Sequence, residues 1–258
     1  MKTQKLKLKP LVVQFDHGFF RPTLINNNRN TFKKLGVNVL SYTPNWQLVK
    51  KLMRISLERK GDFCWHCHAG IFAYPIRVAV DLKIPLVIWG EPSSEYTAYY
   101  NYGDEEEELV DRNRFDRFIN LGINAEDMEI ILNEQDFKFN KKDLEAFTYP
   151  DEKKLAKLNL RSICLGSYIP WDVKKQVEII KKEVKWQGEQ VEGIPEEYFY
   201  EKIECYMQGV RDYIKLLKRG YGRVTQMTAL DRRNGRMSKE KSEELIFKYE
   251  NKKPHSLD

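Results

Sequence analysis

DFCWHCHAGIFAYPIRVAVDLKIPLVIWGEPSSEY, residues 62–96, carries the strongest structural signal in the chain. It opens on a Cys-x-x-Cys-His loop (Cys64, Cys67, His68), continues as an apolar helix over 71–82 with Pro75 in its first turns, and reaches a buried strand over 84–89. A short apolar, β-branched run of that kind reads as a strand of a parallel sheet. It empties into Gly90-Glu91-Pro92-Ser93, and open α/β sheets place their sites at the carboxyl ends of strands.

Upstream, Leu11-Val12-Val13-Gln14-Phe15 is a second such run, and it stops at Asp16-His17-Gly18. The stretch 23–35 reads as a helix closed by Gly36, and 37–43 as another strand halted by Pro44-Asn45. Asn45 caps a helix in which Leu48, Leu52 and Ile55 fall at i, i+4 and i+7, and Gly61 ends it. Strand, helix, strand, two helices and strand with short connections predict a parallel sheet with right-handed crossovers. The fold class is therefore α/β, with a sheet domain over 1–102.

Downstream, 103–258 is predicted to be a mostly helical region with one further strand near 162–165. A helix is expected over 173–185. A long one is expected over 195–219, where Ile203, Met207, Val210, Ile214 and Leu217 form a single stripe. A last amphipathic helix starts at Ser238.

The net charge is +6, from 44 basic and 38 acidic residues. That mild excess suits an anionic ligand such as a nucleotide and argues little for nucleic acid. No apolar run approaches the ~18 residues of a membrane span, and the apolar run after the basic first ten residues is too short for a secretory signal. A cytoplasmic enzyme is the expectation.

Four cysteines make no disulfide scaffold, and Cys64 and Cys67 stand at metal or redox spacing. Three readings stay open: two ligands of zinc or an iron–sulfur cluster, a redox pair, or a tight loop with no chemistry. The metal reading needs further ligands, and Cys205 is the remote candidate because it falls off the apolar stripe of its predicted helix. His66 and His68 are alternatives, and Cys164 sits among apolar neighbours as a core residue. Gly90 and Glu91 at one strand end, with Asp16 and His17 at another, form a pair of ionisable edges suited to a nucleotide and magnesium. The chain has no Gly-x-Gly-x-x-Gly, Walker loop, Gly-x-Ser-x-Gly elbow or metalloprotease helix.

Asp16-His17-Gly18-Phe19-Phe20-Arg21-Pro22, the 64–72 segment, Trp89-Gly90-Glu91-Pro92-Ser93, Tyr168-Ile169-Pro170-Trp171-Asp172 and Leu217-Lys218-Arg219-Gly220-Tyr221-Gly222-Arg223 together resemble the N-acetyl sugar amidotransferase family. These are enzymes of lipopolysaccharide O-antigen and pseudaminic acid biosynthesis in the PP-loop ATP pyrophosphatase superfamily, and the resemblance covers about residues 5–250. It implies a Rossmann-like sheet of the adenine nucleotide alpha hydrolase kind. It also implies ATP-dependent conversion of an acetamido group on a nucleotide-linked sugar to an acetamidino group, through adenylation of the amide oxygen and attack by ammonia from a glutaminase partner.

Position by position, the resemblance implies ATP at Asp16 and His17, its phosphates or magnesium at Gly90 and Glu91, and a metal at Cys64 and Cys67 with Cys205. Arg21, Glu95, Tyr96, Lys218 and Arg223 are its candidates for the sugar nucleotide. The superfamily's Ser-Gly-Gly-Lys-Asp-Ser loop, which holds pyrophosphate at a helix N-terminus, occurs nowhere in these residues. The chain reads as a relative lacking the first strand and most of the first helix, which in relatives ends in a segment like Lys5–Pro10. Two rival readings follow: an inactive assembly subunit, favoured by the missing loop, and a tRNA-thiolating PP-loop enzyme that uses Cys64 and Cys67 for sulfur.

Overall fold

The computed structural model describes residues 8–90, 112–120 and 122–258, so the expectations placed on Glu91, Glu95 and Tyr96 lie outside the described residues. In chain order the main elements are β1 (Leu11–Phe15), α1 (Pro22–Leu35), β2 (Asn38–Tyr42), α2 (Trp46–Lys60), α3 (Trp65–Asp81) and β3 (Leu86–Trp89). They continue with α4 (Ala125–Glu134), α5 (Glu152–Leu158), β4 (Arg161–Cys164), α6 (Val173–Val184), α7 (Gln208–Arg219), α8 (Arg223–Arg233) and α9 (Lys239–Tyr249). The chain is α/β with small parallel sheets. No helix among the described residues is long and apolar enough to cross a membrane.

The chain divides into two compact units, one of Lys2–Gly18 with Val37–Val173 and one of Phe19–Gly36 with Lys174–Asp258. In the sheet-bearing unit β1 pairs parallel with β2, Val13 opposite Leu40, and β3 pairs parallel with β4, Ile88 opposite Ile163. Among the described residues the two pairs are not hydrogen-bonded to each other, so the single sheet expected from the sequence is split in two. Helix α3 packs against both β1 and β3.

Local chemistry explains most of the element ends. Pro22 opens α1, where its missing N–H costs nothing, and Gly36 closes it in the left-handed region at φ 61°. Asn45 caps α2 by accepting from the N–H groups of Gln47 and Leu48. Strand β3 starts two residues later than expected because the Ile84 N–H still returns to the Ala79 carbonyl of α3 at 2.8 Å. Helix α3 corrects the expected Cys-x-x-Cys loop. The Asp62 carboxylate accepts the Cys64 N–H at 2.7 Å and the Cys64 carbonyl accepts from His68 N–H at 3.0 Å, so the helix already begins at Trp65. Pro75 consequently lies in its interior. The helix runs on to Asp81 despite the lost hydrogen bond, because Ala69, Ala73, Ile76 and Ala79 bury it in the core.

The core of this unit forms where α3 meets β1. A Cβ on Gly70 would lie 2.2 Å from Cζ of Phe15, so only glycine lets that ring reach the helix. Leu48, Leu52 and Ile55 of α2 are fully buried beside it, as their spacing predicts, with Met128, Leu132 and Phe147 closing the cluster. Each such side chain contributes about 1.5–3 kcal/mol of burial.

The second unit has a separate core of Val191, Ile194, Tyr198, Ile203 and Met227. The single helix expected over 195–219 is not there: a 3-10 turn spans Glu196–Tyr198 and α7 starts only at Gln208. Backbone pairing to a distant segment overrides the 3.6-residue pattern. Cys205 forms an isolated antiparallel bridge with Phe20, Tyr206 N–H donates to the Phe19 carbonyl at 3.0 Å, and Lys202 turns the chain at φ 51°. Asn27 of α1 locks onto the same region, donating to the Gln187 carbonyl at 2.7 Å and accepting from the Gln187 N–H at 2.9 Å.

Candidate functional site

Asp16 and His17, the ionisable pair that the sequence places at a strand end, stand at the carboxyl end of β1. The ladder with β2 runs one residue past the strand, the Asp16 N–H donating to the Tyr42 carbonyl at 2.8 Å. Oδ1 of Asp16 then accepts the Gly18 N–H at 2.8 Å, which turns the chain away from the sheet. Gly18 is required twice over: its φ is 89°, and a Cβ there would meet the Trp46 ring at 2.8 Å. The Thr43 hydroxyl at the end of β2 lies 3.5 Å from Asp16 Oδ2. Together these contacts hold the half-buried Asp16 carboxylate at the sheet edge.

His17 is buried at 3% exposure, and its carbonyl faces Nε2 of His66 at 3.3 Å. A carbonyl can only accept, so Nε2 of His66 carries the hydrogen and the neutral ring leaves Nδ1 as an acceptor. Nδ1 makes no hydrogen bond of ordinary geometry among the described residues. Burial pushes the His66 pKa down to about 4 against the opposing pull of the His17 carbonyl, so the imidazole is neutral at pH 7. The first turn of α3 thereby joins the edge of β1, carrying buried Cys64 and half-buried Cys67 on either side of His66.

At the end of β3, Trp89 donates from its indole to the Ser162 hydroxyl of β4 at 2.8 Å, and Gly90 follows with open space where a Cβ would stand. Lys218 is exposed on the last turn of α7.

Three other predicted site residues lie in the second unit. The guanidinium of Arg21 is buried, donating to Glu189 Oε1 at 3.0 Å, to the Gln190 carbonyl at 2.9 Å and to the Cys205 carbonyl at 3.2 Å, with the Tyr206 ring beneath it. Arg223 is enclosed by Asp212 at 2.9 Å and Glu201 at 3.2 Å; desolvation opposes its charge, and the two carboxylates more than offset that. Both arginines are neutralised within the unit and tie its segments together. Cys205 accepts the Met207 N–H at 3.4 Å, and burial pushes its thiol up to about 11.

Among the described residues no three His, Cys, Asp or Glu side chains are gathered so as to hold a metal ion. A closed zinc site needs four ligands and a cluster needs three or four, so the Cys64–Cys67 turn by itself does not fit either. The sequence reading missed the link between His66 and His17, the Thr43 hydroxyl and the capping role of Asp62. A strand-end Thr opposite Asp16 was visible as a signal; the histidine link depends on the helix starting at Trp65, which the Cys-x-x-Cys spacing does not reveal. A scan of protein-family models finds no match to the chain, and a search of curated proteins finds none either.

Proposed function

We propose that this chain is the sheet-and-helix body of an ATP-dependent N-acetyl sugar amidotransferase of the PP-loop kind, acting on a nucleotide-linked sugar with ammonia supplied by a glutaminase partner. The observation that carries this reading is the carboxyl edge of β1, where Asp16, His17 and Gly18 meet the first turn of α3 in a parallel α/β unit. ATP would supply the chemistry of making an amide oxygen a leaving group. The chain's own residues supply the edge: Asp16 presents a hard carboxylate oxygen suited to a magnesium–phosphate ligand, next to buried His17, whose carbonyl meets buried His66. The phosphate cradle of the superfamily is not among these residues, and no step is assigned to them in its place.

The same reading accounts for the split sheet. The Asp16 N–H to Tyr42 bond turns the even-numbered residues of β1 toward β2, leaving the backbone groups of Leu11, Val13 and Phe15 on its other edge. The Arg161 N–H to Pro85 bond turns Pro85, Val87 and Trp89 toward β4, leaving those of Leu86 and Ile88. A parallel strand inserted between β1 and β3, over α3, would pair with both edges and join the two pairs into one sheet. Its phosphate loop would then emerge beside Asp16.

The test is amidation by this chain with a relative's first strand and phosphate loop fused ahead of Lys5, given ATP, magnesium, ammonium and a nucleotide-linked N-acetyl sugar. Mass spectrometry should find the amidino sugar together with AMP. ATP binding without turnover on any such sugar would sink the amidotransferase assignment. A second reading, an assembly subunit without catalysis, is favoured by the internal neutralisation of Arg21 and Arg223; it predicts glutaminase binding by the chain as it stands.

A further inference from the structure

The Cys64–Cys67 turn is the one motif that the proposed function leaves unused, and its surroundings narrow what it does. The two residues stand at the N-cap and third position of α3, and the Cys64 carbonyl to His68 N–H bond shows that the turn between them is helical. Residues three apart on such a turn have Cα atoms about 5 Å apart, inside the window that a disulfide spans. Cys64 is buried at 7% exposure and Cys67 is half-exposed. Cys164, at the end of β4, and Cys205, in the other unit, have no cysteine within such a turn. Two vicinal thiols on one helical turn have the chemistry of thiol–disulfide exchange.

We infer that Cys64 and Cys67 form a reversible dithiol–disulfide couple by exchange with a low-molecular-weight disulfide. The Cys67 thiolate, the more accessible, attacks one sulfur of the disulfide and releases one equivalent of thiol, leaving a mixed disulfide on Cys67. Cys64, deprotonated, then attacks the Cys67 sulfur, forming the Cys64–Cys67 bond and releasing the second thiol. Two protein thiols are oxidised and one external disulfide is reduced to two thiols. Because His66 stands on the same helical turn and holds the His17 carbonyl, the new bond closes the turn that buttresses the edge of β1.

The test uses the full chain in a series of reduced and oxidised glutathione mixtures, with quenching, alkylation of free thiols and peptide mapping. Alkylated cysteines should fall from four to two as the oxidised form rises, the lost pair should be Cys64 and Cys67, and excess thiol should restore all four. Cys64→Ser should accumulate a glutathione adduct on Cys67, whereas Cys67→Ser should leave Cys64 largely unmodified. Retention of four alkylated cysteines at every ratio overturns the inference. So does a bridge to Cys164 or Cys205, or zinc or iron that co-purifies on these two thiols and must be chelated before they react. The wild-type mapping is decisive even where serine is not tolerated at the buried position 64. No readout involves ATP or sugar, so failure here and failure of the amidotransferase reading are separate results.

Discussion

Acidification should destabilise the sheet-bearing unit through His66, and the size of the effect follows from its burial. The folded-state pKa lies at about 4 against 6.5 for a free imidazole, so between those values the unfolded chain binds a proton that the folded chain refuses. A depressed folded pKa means that the stability contribution is fully present above 6.5 and is lost as pH falls toward 4. The whole shift corresponds to about 3 kcal/mol, and the part lost between pH 7 and pH 5 to about 2 kcal/mol. Urea denaturation of the wild type and of His66→Phe, from pH 7.5 down to 4.5 and followed by tryptophan fluorescence, isolates the term, because all other titrating groups are common to both. The variant loses the hydrogen bond to His17 and starts less stable, but between pH 7 and pH 5 its stability should fall by about 2 kcal/mol less. Parallel pH profiles for the two chains would refute the reasoning: they would mean that His66 is already solvated or protonated in the fold.

Gly70→Ala places a methyl group 2.2 Å from Phe15 Cζ, and that ring is hemmed in by Tyr42, Tyr74 and Phe147. The overpacking cost of about 1–3 kcal/mol should outweigh the better helix propensity of alanine, worth about 1 kcal/mol; a raised denaturation midpoint would show that Phe15 has room to move. Arg21→Ala strips Glu189 of its partner and should cost about 3 kcal/mol by denaturation, with Arg21→Lys recovering only part because an ammonium cannot span the three acceptors. Unchanged stability there would return Arg21 to the ligand-binding role inferred from its motif. In the chain with the phosphate loop restored, Asp16→Asn keeps the acceptor for the Gly18 N–H, so thermal stability should hold while affinity for magnesium–ATP falls at least tenfold; equal affinity by calorimetry would remove Asp16 from the site.

The sequence is most legible where a side chain acts on its own neighbours. Asn45, Gly36 and Gly61 mark helix ends by capping chemistry that needs nothing beyond a few residues, and the Leu48, Leu52, Ile55 stripe is buried as its spacing requires. Failure comes where distant segments decide. The periodic stretch before Gln208 is pulled out of helix by pairing with Phe19 and Phe20, which lie nearly two hundred residues earlier, and no local pattern records that contact. The same limit applies to the site. Asp16 and His17 announce themselves as ionisable residues at a strand end, whereas the apparent exposure of Arg21 and Arg223 dissolves once Glu189, Asp212 and Glu201 fold onto them. Charge in a sequence says nothing of whether its partner is internal.

In the proposed function the edge of β1 is half of a nucleotide site, and a strand and loop inserted between β1 and β3 would complete it. Calorimetric titration of magnesium–ATP into this chain and into one with a relative's first strand and phosphate loop restored tests it most directly. Saturable binding is expected from the restored chain, and none, or at least a hundredfold weaker binding, from the chain of 258 residues. Absence of binding in both, with the restored chain folded, would contradict it.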